Sequence, residues 1–329
     1  MSDYPEVLTS PSLALVDLGD GVAGLELRSK LGVISSELIE VGTSLLERLP
    51  NEFAAVVVFN QQKHFSLGAN LKEISAAIEN NDLDAVDTMI LRGQQWMTSL
   101  RSLSIPVVNT PYGYALGGGC ELTASAWASV AEAGANFGLV EANVGLVPGW
   151  GGIVEQIRSR INARSVEGSS MCTAEAKQEL VVIFDRLRCA TTSESAAQAK
   201  EFGFLRPDDQ VIEGQENLLS AAKALALELV DQPDRRPQES ELFMTGNVGL
   251  TALQKHLDVR AVEEDLSAHD VEIARHLIAV LTGGAIEPGW APETMVRKAE
   301  REHLVELAGT TATQERITHI LATGQPLRN

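Results

Sequence analysis

Residues 106–152 read PVVNTPYGYALGGGCELTASAWASVAEAGANFGLVEANVGLVPGWGG. The apolar pair Val107–Val108 enters a turn-rich segment that ends in Gly117-Gly118-Gly119, followed directly by Cys120 and Glu121. The small residues from Glu121 to Ala131 are helix-compatible. Consecutive glycines at a helix start let a ligand approach bare backbone N–H groups. Those first N–H groups have no partner inside the helix, and the helix dipole favours negative charge there. The segment is therefore suited to an anion or a developing oxyanion. Glu121 sits in the first turn, and Glu141 follows 20 positions later in FGLVEANVGLVPGWGG. Two carboxylates near an oxyanion site point to acid–base chemistry on a carbonyl compound.

Two further stretches extend the pattern on either side. Upstream, Val56-Val57-Val58-Phe59-Asn60 is followed by Lys63-His64-Phe65-Ser66-Leu67-Gly68-Ala69-Asn70-Leu71. Downstream lies TSESAAQAKEFGFL, Thr192 to Leu205. These motifs, in this order, resemble the crotonase (enoyl-CoA hydratase/isomerase) superfamily, and the similarity runs from about Ala14 to Leu205. The tail from Gly203 to Asn329 resembles the C-terminal, hydratase-like part of bacterial two-domain 3-hydroxyacyl-CoA dehydrogenases. No dehydrogenase half is expected, since crotonase-like sequence begins within a dozen residues of Met1.

The resemblance implies an α/β fold: a crotonase-like ββα spiral core over residues 1–205 with a helical C-terminal region over 206–329. It implies an oxyanion hole made by the backbone N–H groups of Ala69 and Gly118. It assigns Glu121 to activating water and Glu141 to protonating the α-carbon of a trans-2-enoyl-CoA, giving a 3-hydroxyacyl-CoA in fatty-acid or acyl-CoA degradation. Coenzyme A would run along Ser66, Leu67, Gly68, Asn70, Leu71 and Lys72, with Lys30, Lys63 and Lys72 as candidates for its phosphates. Gly149 and Trp150 would border the acyl pocket. The pattern departs from the family at Leu67, which replaces a small residue, and at Asn70, which replaces a common acidic one. It departs again at Gly32-Val33, in place of Asn-Ala, and at Trp150, where relatives often have a small residue. No metal and no redox cofactor is expected, coenzyme A being part of the substrate. Double-bond isomerisation, other acyl-CoA reactions on this fold, and a non-catalytic subunit docking a separate 3-hydroxyacyl-CoA dehydrogenase chain remain open. The family also suggests a homo-oligomer, a trimer or hexamer.

Composition narrows the field. The 329 residues allow one large domain or a domain with an appendage. A net charge of −19 argues against a nucleic-acid partner, which needs a basic surface. Cys120, Cys172 and Cys189 form no C-x-x-C pair, which suits free thiols in a reducing cytosol. The six histidines are not expected to form a metal cluster; His269 and His276 read as surface or interface residues. No apolar run is long enough for a membrane span, the N-terminus lacks a signal peptide, and a cytoplasmic location is expected.

Local patterns predict the remaining elements. Leu13–Val16 and Val22–Leu27 flank Gly19-Asp20-Gly21, a hairpin signal. Gly19, Gly21 and Gly24 also spell G-x-G-x-x-G, but the residues after Gly24 alternate like a strand, which argues against a dinucleotide loop. Ser35 is expected to cap a helix through Leu49. A buried strand is expected over Phe53–Asn60 and another over Pro106–Asn109. Helices are expected over Lys72–Glu79, Leu83–Ser102, Glu216–Val230, Val248–Val259, Ala268–Leu281, Pro292–Ala308 and Ala312–Thr323.

Overall fold

The computed structural model of the chain describes residues 4–165 and 169–329. They form two compact units, each assembled from separated stretches. The first comprises the chain up to Asn70, Arg92–Gly138 and Ser193–Gln238; the second comprises Leu71–Leu91, Leu139–Thr192 and Glu239–Asn329. The units thus do not follow a single break at 205/206, because residues 206–238 pack with the first.

The strands of the first unit are β1 (Glu6–Thr9), β2 (Leu13–Asp17), β3 (Val22–Leu27), β4 (Ala55–Asn60), β5 (Val107–Asn109), β6 (Tyr114–Leu116), β7 (Ala128–Glu132), β8 (Asn136–Gly138) and β9 (Gln210–Ile212). Seven of them make one sheet in the order β1-β2-β3-β4-β5-β7-β9. The β1-β2-β3 edge is antiparallel, and β4, β5, β7 and β9 join in parallel. Every residue of β3 and β4 is buried, as expected of strands covered on both faces. The helix Leu218–Val230 packs on β3, β4, β5 and β7.

A smaller sheet pairs β6 with β8 in parallel. Ser66 continues it through a parallel bridge to Ala115, and Ile34 bridges Ala69. The chain order is therefore a repeat. A strand of the large sheet is followed by a short extended segment and then a helix: β3, Ile34 and Ser36–Leu45; β4, Ser66 and Leu71–Glu79; β5, β6 and Gly118–Ala124. That is the ββα pattern expected from the sequence.

The Gly19-Asp20-Gly21 turn closes a β2–β3 hairpin with Leu13 opposite Leu27, so the G-x-G-x-x-G spelling is a turn. All three turn residues have positive φ, 80°, 55° and 75°. Ser35 caps its helix by accepting from the Leu38 N–H at 3.1 Å, but the helix stops at Leu45, and Pro50 enters a separate short turn, Leu49–Glu52. The helix-compatible run 121–131 divides: Gly118–Ala124 is helical and Ala128–Glu132 is β7. Pairing with β5 and β9 overrides weak local propensity there. Thr173 caps the helix Ala174–Arg188 by accepting from the Ala176 N–H. Ser195 and the left-handed Gly203 bracket the helix Ala196–Phe202.

The second unit is largely helical. Gly246–Glu263, Ala268–Thr282, Glu293–Ala308 and Thr311–Thr323 correspond to the four expected tail helices. Its strands, β10 (Glu241–Met244) and β11 (Gly289–Pro292), pair antiparallel with Phe243 opposite Trp290.

Candidate functional site

Within the first unit, the 65–70 turn and the Gly117–Gly119 segment lie directly against each other. Gly68 has φ +88°, and a Cβ there would stand 2.8 Å from the Gly118 nitrogen and 2.8 Å from the Leu116 oxygen. A Cβ on Gly119 would stand 2.5 Å from the Ser66 oxygen. Only bare backbone permits this approach. The strand-like ties are Ser66 N–H to Tyr114 O at 3.0 Å and Leu116 N–H to Ser66 O at 2.9 Å.

The two amides of interest are oriented by their neighbours. Ile34 N–H donates to Gly68 O at 2.8 Å, and Asn70 N–H donates to Ile34 O at 3.0 Å. In such a bridge the intervening Ala69 N–H points away from Ile34. Gly117 takes φ 51°, ψ −124° and starts the helix Gly118–Ala124; its carbonyl accepts from Cys120 at 2.8 Å and Glu121 at 3.1 Å. The Gly118 N–H precedes those first helical bonds. Two backbone donors on abutting turns at a helix start suit a carbonyl oxygen that gains negative charge. Glu121, one turn into that helix, is buried at 4 % exposure.

Ser66 is fully buried. Its hydroxyl donates to Gly32 O at 2.7 Å and accepts from the Gly68 N–H at 3.1 Å, so it ties the turn together rather than facing outward. Gly32, with φ +62°, sits against the Phe65 carbonyl. Leu67 N–H donates to Leu31 O at 3.1 Å, which sets the exposed Lys30 on the turn beside Leu67. Leu67 and Asn70 are half-buried and Lys63 is exposed. A 550 Å³ cavity elsewhere in the unit is lined by Asn60, Thr110, Tyr112 and Leu218 among others, and by none of the nominated residues. Burial pushes the Tyr112 hydroxyl up to about 12.

The second unit carries Glu141, Gly149, Trp150, Leu71 and Lys72. Lys72 is exposed and Leu71 half-buried, both in the first turn of Leu71–Glu79. Glu141 opens a 3₁₀ turn, Glu141–Val144, closed by left-handed Gly145 (φ 82°). Two tail residues hold that turn: Arg316 Nη1 donates to Ala142 O at 3.1 Å, and the Thr313 hydroxyl donates to Gly145 O at 2.8 Å. Arg316 is 3 % exposed and its Nη2 donates to Asp270 Oδ1 at 2.7 Å. Glu300, fully buried, accepts from the Ile153 and Val154 N–H groups at 2.8 and 3.1 Å and so caps the helix after Gly151. Trp150 is 5 % exposed, and a Cβ on Gly149 would meet Leu304 at 2.6 Å. Sequence reading passed over Arg316, Thr313 and Glu300. No motif marks them; they lie 146 to 174 residues from the backbone they hold.

The enoyl-CoA hydratase/isomerase family matches residues 19–182. A Bacillus subtilis protein named "Probable 3-hydroxyacyl-CoA dehydrogenase" is 34% identical over 317 residues, which is 96% of this chain but 39% of that protein. The 2,3-dehydroadipyl-CoA hydratase of Escherichia coli is 32% identical over 172 residues, 48% of this chain and 64% of the other. The crystal structure of an enoyl-CoA hydratase from Bacillus halodurans shares the fold with a TM-score of 0.60 at 15% identity, covering 94% of this chain and 99% of that one.

Proposed function

The chain belongs to the enoyl-CoA hydratase/isomerase family, and from that membership we propose that it adds water across the α,β double bond of a trans-2-enoyl-CoA. The observation that carries the reading is the abutment of the Gly68 and Gly118 turns beside the buried Glu121. In this reading the thioester oxygen accepts from the Ala69 and Gly118 N–H groups, which stabilise the enolate as it forms. Loss of one such donor costs about 3–4 kcal/mol of transition-state stabilisation. Glu121 removes a proton from water, the hydroxide oxygen bonds to the β-carbon, and the electron pair of the double bond moves toward the α-carbon. Glu141 supplies the α-proton, a role that rests on the family pattern alone. Lys30 and Lys72 are proposed for the coenzyme A phosphates, and Trp150 for limiting the acyl group.

A 3-hydroxyacyl-CoA product suits a separate dehydrogenase chain as partner. The basis is that the chain corresponds to 39% of a relative whose name is that of a dehydrogenase.

The test follows the absorbance of the enoyl thioester with crotonyl-CoA and a longer trans-2-enoyl-CoA. Wild type is expected to bleach it, and Glu121→Gln and Glu141→Gln to slow the loss by about 10²–10⁴-fold, the range of general acid–base catalysis. Measurable acyl-CoA binding without any bleaching would overturn hydration and point to another acyl-CoA reaction.

A further inference from the structure

We propose that His276, His303 and Glu306, all in the second unit, form a binding site for a divalent transition-metal ion, with zinc the best match. His303 and Glu306 are three residues apart on the helix Glu293–Ala308, hence on one face. His276 lies on the helix Ala268–Thr282, which packs against it.

The three ligand atoms converge. His276 Nδ1 and His303 Nδ1 are 2.8 Å apart, and each lies 3.7 Å from the same oxygen, Glu306 Oε2. Those separations leave one point about 2.0 Å from all three atoms, the length of a zinc–imidazole or zinc–carboxylate bond. A shared proton between two imidazoles would account for the short nitrogen–nitrogen contact. It would not account for a carboxylate oxygen equidistant from both nitrogens.

Two imidazoles with one carboxylate favour zinc, nickel or copper over magnesium or calcium, which prefer all-oxygen sets. The nearby His269 and Glu272 are already engaged with each other at 2.9 Å. Glu306 is 64% exposed, so an ion reaches the site from solvent and water completes its coordination. Bound there, the ion would cross-link the two helices.

The test titrates the full chain, stripped with a chelator, with Zn²⁺ in a calorimeter, and repeats it with Co²⁺ while recording its visible absorption. The expected result is one saturable site per chain and, with Co²⁺, a visible spectrum changed from that of the free aqua ion. His303→Ala and Glu306→Gln should each weaken binding by about 100-fold or more, since even outer-shell changes cost 10–100-fold. His319→Ala, a histidine outside the cluster, should change nothing. Glu306→Gln alters an exposed side chain, so it decides the matter should His303→Ala misfold. Absence of a saturable site, or equal binding in wild type and Glu306→Gln, would overturn the proposal.

Discussion

A single methyl group at Gly68 would push apart the turns that carry Ala69 and Gly118. The added Cβ would meet backbone atoms on both the Leu116 and Gly118 peptides, which have no side-chain freedom with which to yield. Gly68→Ala is therefore expected to lower the hydration rate by about 10²–10³-fold, the effect of losing one oxyanion donor. Gly284→Ala is the matched control: its φ of +76° imposes similar backbone strain, but nothing lies within 4 Å of the new methyl. It should cost about 1–3 kcal/mol in urea unfolding and leave turnover unchanged. Equal kinetic loss in the two variants would show that strain, not turn separation, is responsible. At the same scale the Ser66 hydroxyl holds the shape of the turn, because it serves both Gly32 and Gly68.

The tail helices bear on the proposed chemistry through backbone they hold in place. Thr311–Thr323 contributes Thr313 and Arg316 to the turn opened by Glu141, and Asp270 secures Arg316. Burial raises the Asp270 carboxyl, but the bond and charge of Arg316, with help from Ser267, outweigh it and set it below the ordinary aspartate range. A depressed carboxylate contributes stability above its unfolded value of 3.8, and that contribution disappears as pH falls through the folded value. Asp270→Asn should accordingly be less stable than wild type in urea at pH 6–7, with the gap closing below about pH 4. A gap independent of pH would mean that the Arg316 pair is not its source. Arg316→Met removes the ion pair to the half-buried Asp270 and the bond to the Ala142 carbonyl, and is expected to cost about 1–3 kcal/mol.

Charge acts on the chain as a whole. At −19, it is expected to show no retention of duplex DNA or RNA in a gel shift at physiological salt, where phosphate binding would need a basic face. A shifted band would require a basic patch that the charge balance conceals. The proposed homo-oligomer predicts a solution mass that is a multiple of 35.3 kDa, three or six chains, by mass photometry; a 35.3 kDa species at micromolar concentration would contradict it.

The sequence by itself determined the elements whose signals are local. The Asp20 hairpin, the Ser35 cap, the buried β4 run and the glycine-rich helix start are each written within a few adjacent residues. Hydrogen-bond geometry and side-chain period act over that range. Three separated motifs in order also disclosed the family. Only the tertiary structure decided the small sheet, whose three-residue strands are too short to show a period. It also decided the split of 121–131 into helix and strand, and the place of residues 206–238 in the first unit. The same holds for the contact of Gly68 with Gly118, for Arg316 and Glu300 on backbone far away in the chain, and for His276 beside His303. These are meetings of residues distant along the chain. Local propensity carries no record of them, because they are fixed by which surfaces exclude water together when the chain packs.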